Sequence, residues 1–304
     1  MFLAGCNVQG ISETDGTAGS NAGTQPIPTT NSNITLPGLE TPNSGTDFAT
    51  PSISSSPASA ATLLPEAREA YVLTILETNK GCDLPCFLGI TPGESKWEDL
   101  RSLVSPVYPE ENFAPNNNGI YIAPFSFNPG NKTYLEITFF GPEALIEQIM
   151  VDGRIYPSTN RLNYNPAFAQ VMEQYSLKNT LKRFGVPAQI FLFVHGHFEP
   201  QSGTGAEIVL VYDEIGVMTH YIFGDIVEEL VTQNPDTGAL RACLAYDQIE
   251  MIRLYLQSPD SDEQLSNQLK NVLLEPLEKT TDLSIDDFYD LFIMPQQDIC
   301  FEVP

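Results

Sequence analysis

Leu177-Lys-Asn-Thr-Leu-Lys-Arg-Phe-Gly-Val-Pro187, leading through Ala188 into Gln189-Ile-Phe-Leu-Phe-Val-His195, is the stretch whose reading decides the fold class. Leu177 and Leu181 stand one helical turn apart, and Gly185 with Pro187 just beyond is a common helix ending. The aromatic and β-branched run that follows reads as a strand. Two further strands are predicted at 206–212 and 217–223, turning near Asp213 to Gly216, and another helix at 165–175 precedes the set. Helices followed by an antiparallel three-stranded meander make an α+β unit.

The same order of elements stands upstream. A helix is predicted over 65–79 with Gly81 as its stop, and the capping box Ser95-Lys-Trp-Glu98 opens a second helix that carries Trp97, Leu100 and Val104 on one face. Strands are predicted at 120–127, 133–140 and 145–151, joined by Asn128-Pro-Gly-Asn131 and Gly141-Pro-Glu143. The expectation is an α+β body over 65–242, built of two tandem helix-plus-meander units at about 65–155 and 156–242, an internal repeat of roughly 80–90 residues. Beyond it lie a short helix at 225–232, a turn at Asn234-Pro-Asp-Thr-Gly238, a strand at 249–256 and an amphipathic helix at 261–274 that Pro276 interrupts. A last helix, capped by Ser284-Ile-Asp-Asp287, runs through Phe292. Residues 243–304 are read as a C-terminal α/β extension packed on the body.

The N-terminal fifth has another composition. Residues 7–64 are rich in Ser, Thr, Gly, Asn, Pro and Ala, with Glu13, Asp15, Glu40 and Asp47 as the only charges and Phe48 as the only aromatic. Such a chain buries too little apolar surface to offset its ordering entropy, so it reads as a disordered tether with a root-mean-square reach of about 40–45 Å. Before it stands Leu3-Ala4-Gly5-Cys6, which resembles the lipobox of bacterial lipoproteins. The resemblance implies lipidation of Cys6, removal of residues 1–5 as the remnant of a signal, and anchoring to the bilayer through an N-terminal diacylglyceryl-cysteine. Fewer apolar residues precede Cys6 than a leader needs, so the leader is expected upstream of Met1.

Four cysteines remain, Cys82, Cys86, Cys243 and Cys300. An even number in an exported chain reads as two disulfides, and of three connectivities we favour Cys82–Cys86 and Cys243–Cys300. The second would close a loop of nearly sixty residues, a stabilisation of about 4 kcal/mol by chain entropy. A redox pair of the thioredoxin type has two residues between its cysteines, and Cys82 and Cys86 have three. Acids outnumber bases 39 to 14, a net charge of −25. Nucleic acid and anionic lipid both repel such a chain, and the acid runs lack the EF-hand spacing.

The stretches Gly89-Ile-Thr-Pro-Gly-Glu-Ser-Lys-Trp-Glu-Asp-Leu100 and Leu177 to Pro187 resemble the SmpA/OmlA (BamE-like) lipoprotein modules, which pair helices ending in a leucine-Gly-x-Pro signal with a short antiparallel sheet. Tandem copies of a similar fold occur in the β-lactamase inhibitor protein, which binds an enzyme through its sheet face. In the first copy Ser105-Pro-Val-Tyr-Pro109 replaces the glycine signal.

Candidate chemistry is sparse. His195, His197 and His220 could form a metal cluster, since residues two apart on a strand share a face, with Glu199 adding an oxygen. Gly196 between the first two argues for a bend, and no His-Glu-x-x-His, Gly-x-Ser-x-Gly or phosphate-loop motif is present. No catalytic residue and no cofactor is assigned. The sequence therefore favours a lipid-anchored extracytoplasmic protein, exposed to periplasm or exterior, whose sheet aromatics (Tyr121, Phe125, Phe127, Tyr134, Phe139, Phe191, Phe193) pack a core while one sheet face binds an envelope protein, peptide or glycan, or which serves as an envelope-structural module. The alternatives are a metal-dependent hydrolase built on the histidines and a solute-binding lipoprotein with a deep cleft.

Overall fold

The computed structural model describes residues 63–107, 120–126, 133–142, 144–155, 165–195, 205–224, 231–233, 237–244, 249–269, 273–294 and 299–303. The lipobox, the segment read as a tether up to residue 62, His197, Glu199, Phe127 and most of the helix expected at 225–232 lie outside them. Six helices are described: α1 (Pro65–Thr78), α2 (Trp97–Val104), α3 (Pro166–Met172), α4 (Leu177–Phe184), α5 (Leu277–Thr280) and α6 (Ile285–Ile293). Eleven strands accompany them: β1 (Ile120–Ser126), β2 (Thr133–Phe140), β3 (Gln148–Arg154), β4 (Gln189–His195), β5 (Gly205–Tyr212), β6 (Val217–Phe223), β7 (Val231–Gln233), β8 (Leu240–Leu244), β9 (Ile249–Gln257), β10 (Glu275–Pro276) and β11 (Ile299–Val303).

Local chemistry accounts for the helix ends. Ser176 Oγ accepts from Asn179 N to start α4, and Gly185, at φ 77°, closes it. Tyr212 Oη donates to Gly185 O at 3.1 Å, which ties that end to the sheet. At the end of α1 Asn79 takes a left-handed conformation (φ 43°). Its side chain donates to Cys82 O (2.7 Å) and Cys86 O (3.0 Å) and accepts from Leu88 N (2.5 Å), organising the loop that the Cys82–Cys86 disulfide clips. In α2 the reciprocal cap falls one residue later than the sequence implied. Asp99 Oδ2, not Glu98, accepts from Lys96 N, while Ser95 Oγ is engaged by Thr91 N. The Ser284–Asp287 capping box of α6 forms as expected.

Eight strands make one antiparallel sheet in the order β1-β2-β3-β9-β6-β5-β4-β10. Both expected meanders are present within it, but they do not abut. β9 pairs antiparallel with β3 on one side and with β6 on the other, so a strand from the stretch read as an extension sits at the centre of the sheet. The two meanders also run inward from opposite edges, while β3 and β6 point the same way. With all the packed helices on one face, no rotation superposes one meander on the other, so the recurring order of elements is not a recurring arrangement.

The two faces of the sheet differ sharply. Ile137, Val151, Leu254, Thr219, Leu210 and Ile190 form one continuous rung across β2, β3, β9, β6, β5 and β4. All six are buried, five of them in the core shared with α1 to α4. Burial pushes the phenol of Tyr121 up to about 12 and raises those of Tyr175 and Tyr221 as well. A second sheet, ordered β11-β8-β7, joins the same core and is stapled where Cys243 and Cys300 stand directly opposite each other. Phe288 of α6 stacks on Phe292 with ring centroids 4.4 Å apart and lies against Phe301 of β11.

A chain stopped after Ala242 retains both meanders and all four of the first helices but lacks β9. Such a fragment is expected to show no cooperative unfolding transition and a collapsed, poorly dispersed amide spectrum; a well-folded fragment would refute this topology.

Candidate functional site

The rung next to the apolar one points to the other side of the sheet. It runs Glu136, Asp152, Arg253, His220, Val209, Phe191 and Pro276, one residue from each of β2, β3, β9, β6, β5, β4 and β10. The strand period of two makes this switch from apolar to charged unavoidable once one face is committed to the helices. Charge is concentrated at the middle of the rung, where β3, β9 and β6 meet.

There Arg253 makes a charge-assisted pair with Asp152. Its Nε donates to Asp152 Oδ1 and its Nη2 to Oδ2 at 3.3 Å, while Nη1 donates to Tyr255 Oη at 3.4 Å. The guanidinium centre lies 6.0 Å from the Tyr255 ring. Burial alone would lower the guanidinium pKa; the hydrogen bonds and charge of Asp152 and Tyr255 outweigh it and leave the value above the ordinary one. Across the ladder His220 Nε2 meets Glu207 Oε2 at 2.8 Å, with the imidazole 6% exposed and the carboxylate 26%.

Part of this face is covered. Leu265, Leu269 and Leu274 lie on Val209, Val211 and Met218 and form a small apolar cluster apart from the main core, with Phe191 and Phe193 packed against it. Those two phenylalanines, expected to pack a core, are sheltered here in a small second cluster by residues of the same chain. The covering segment contains a short 3-10 turn at Leu265–Leu269 in place of the long amphipathic helix expected over 261–274. Leu265 N donates to Asp213 Oδ1 (3.1 Å), and Gln257 Nε2 donates to Glu263 O (2.6 Å). Gly216, left-handed at φ 66°, closes the β5–β6 turn so tightly that a Cβ there would stand 2.2 Å from Gln257 O. Where the cover ends, a hollow of about 120 Å³ opens among Phe140, Gln148, Met150, Tyr255 and Gln257 of the sheet and Leu265 and Gln268 of the cover.

His195 and His220 are not brought together, and His197 lies outside the described residues. His195 stands opposite Gly205 and His220 opposite Val209, two strands over and four residues along. On strand spacing and rise that is roughly 16 Å between Cα atoms, too far for two imidazoles to share one ion at Zn–N distances of about 2 Å. Among the described residues no group of three or more His, Cys, Asp or Glu is placed to hold a metal ion. Both disulfides join the pairs that the sequence favoured. No described helix is long and apolar enough to cross a membrane. Neither the charged rung nor the glutamine-lined hollow was read from the sequence. The alternation Met251-Ile-Arg-Leu-Tyr-Leu-Gln257 was a visible signal for a two-faced strand, but its neighbours were not.

Comparison with protein families, with characterised proteins and with solved structures finds no match to this chain.

The Asp152–Arg253 pair is partly buried, so Asp152→Ala or Arg253→Ala alone should destabilise the protein by about 1–3 kcal/mol by leaving a desolvated partner. The double variant should cost less than the sum of the two, read as a coupling of about 1 kcal/mol or more in a denaturation cycle. Strict additivity would show the pair to be energetically idle.

Proposed function

We propose that this chain is a lipid-anchored extracytoplasmic binding protein that uses the uncovered part of its eight-stranded sheet as a recognition surface. One observation carries the reading: the helices pack on one face only, and the opposite face presents half-buried Arg253, Asp152, Tyr255, Met150 and Met251 with no catalytic constellation among the described residues. Aromatic, methionine and arginine side chains in that setting are the composition of interface centres. The likeness of the stretches 89–100 and 177–187 to SmpA/OmlA modules points the same way, toward an envelope protein, peptide or glycan as partner.

Placement rests on the lipobox-like Leu3-Ala4-Gly5-Cys6 and the charge-poor segment behind it, and the two disulfides agree with an oxidising compartment. Expressed behind a lipoprotein leader, the chain should incorporate an alkyne-tagged palmitate that Cys6→Ser abolishes; equal labelling of that variant would remove the anchor from the proposal. For recognition, a photo-crosslinking amino acid at Met251 or Glu136 should capture an envelope component that the same group at Glu77 on α1 does not. Equal capture from both faces, or none from the sheet, would overturn the assignment of this face.

A further inference from the structure

We propose that the hollow beside Tyr255 binds a single ring of a neutral carbohydrate, read by three glutamine amides. The inference rests on the preceding reading of this sheet face as a recognition surface and specifies its ligand. Gln257 is 4% exposed; its Nε2 is used by Glu263 O, and its Oε1 is buried without any hydrogen-bond partner. Gln148 and Gln268 line the same hollow, and their amides make no hydrogen bond among the described residues. Buried acceptors in folded proteins are almost always satisfied, so an orphan on a side chain that lines a hollow, beside the half-buried Gln148 and the exposed Gln268, marks a place where a ligand donor belongs.

The surroundings narrow the class. The hollow lies over β2, β3 and β9, whose facing edges are joined by backbone ladders, so a ligand there meets side chains and cannot add as a strand. Among the described residues its wall carries no carboxylate to hold a cation, and Arg253, beside Tyr255, is committed to Asp152. A chain of net charge −25 repels phosphates, sulfates and uronates. What remains is a neutral molecule rich in groups that both donate and accept. A primary amide offers a donor and an acceptor side by side, which matches two adjacent hydroxyls of a pyranose. Tyr255, Met150 and Phe140 supply the apolar surface on which the C–H face of such a ring rests. At about 120 Å³ the hollow suits one ring, with neighbouring sugars lying outside it.

The test is calorimetric titration of the full chain with maltohexaose, cellohexaose, chitohexaose and mannohexaose, with hexagalacturonate as the charged control. At least one neutral oligosaccharide is expected to bind, and hexagalacturonate is not. Gln148→Ala and Gln268→Ala, at the half-buried and exposed rim, should each weaken that binding about three- to tenfold without moving the thermal transition, the loss of one neutral hydrogen bond. Gln257→Met should abolish it; if that variant fails to fold, the two rim variants decide alone. Absence of heat with all four neutral sugars at millimolar concentration, or binding indifferent to the rim variants, overturns the proposal. Capture of an envelope protein from Met251 without sugar binding would overturn the carbohydrate assignment and leave the recognition face standing. Failure of both removes both.

Discussion

The two hydrogen-bond ladders that β9 makes, one on each edge, are the constraint on which the body depends. Without that strand the sheet is two three-stranded meanders, the second with β10 on its outer edge, and each has an inner edge of unpaired N–H and C=O groups. With it, side chains one apart are sent to opposite faces in fixed register with both halves: Ile252, Leu254 and Leu256 into the helix-covered core, Arg253, Tyr255 and Gln257 onto the other side. The same nine residues thus complete the core and supply the middle of the candidate site. Arg253 meets Asp152 only because β3 lies beside it in this register; a one-residue slip would bury the guanidinium among leucines.

Much of this was legible in the sequence wherever local chemistry decides. The predicted bounds of α4, β2, β4 and β6 match the structure, because each run is bounded by glycine or a turn and has an unmistakable period. Ser284 and Asp287 announced α6 by their spacing, and cysteine parity with chain separation pointed to both disulfides. Lateral order was not legible. Alternation in 249–257 says that a strand has two different faces and nothing about which strands flank it, so β9 was read as part of an appendage. For the same reason the tandem reading went too far: element order repeats, whereas the sense in which the strands are laid down does not.

The site was less legible than the fold. Histidine spacing suggested a cluster, but shared faces say nothing of distance across strands, and the register separates His195 from His220. Leu265 and Leu269, four apart, fit a helix face as well as a short turn laid on a sheet; the flat surface of Val209, Val211 and Met218 decided between them. Gln148, Gln257 and Gln268 carry no spacing signal, because their convergence is made by pairing β3 with β9 and folding the chain back after Ser258.

The late position of β9 in the chain has a kinetic consequence. A ribosome delivers a protein from its N-terminus, and the strand that closes this sheet emerges only after both meanders and the first four helices. Until then the earlier elements have no shared sheet to settle on, and the pairings β9 brings to β3 are distant along the chain, a topology that folds slowly. The Cys243–Cys300 staple comes later still, since its second cysteine follows β9 and α6 in the chain.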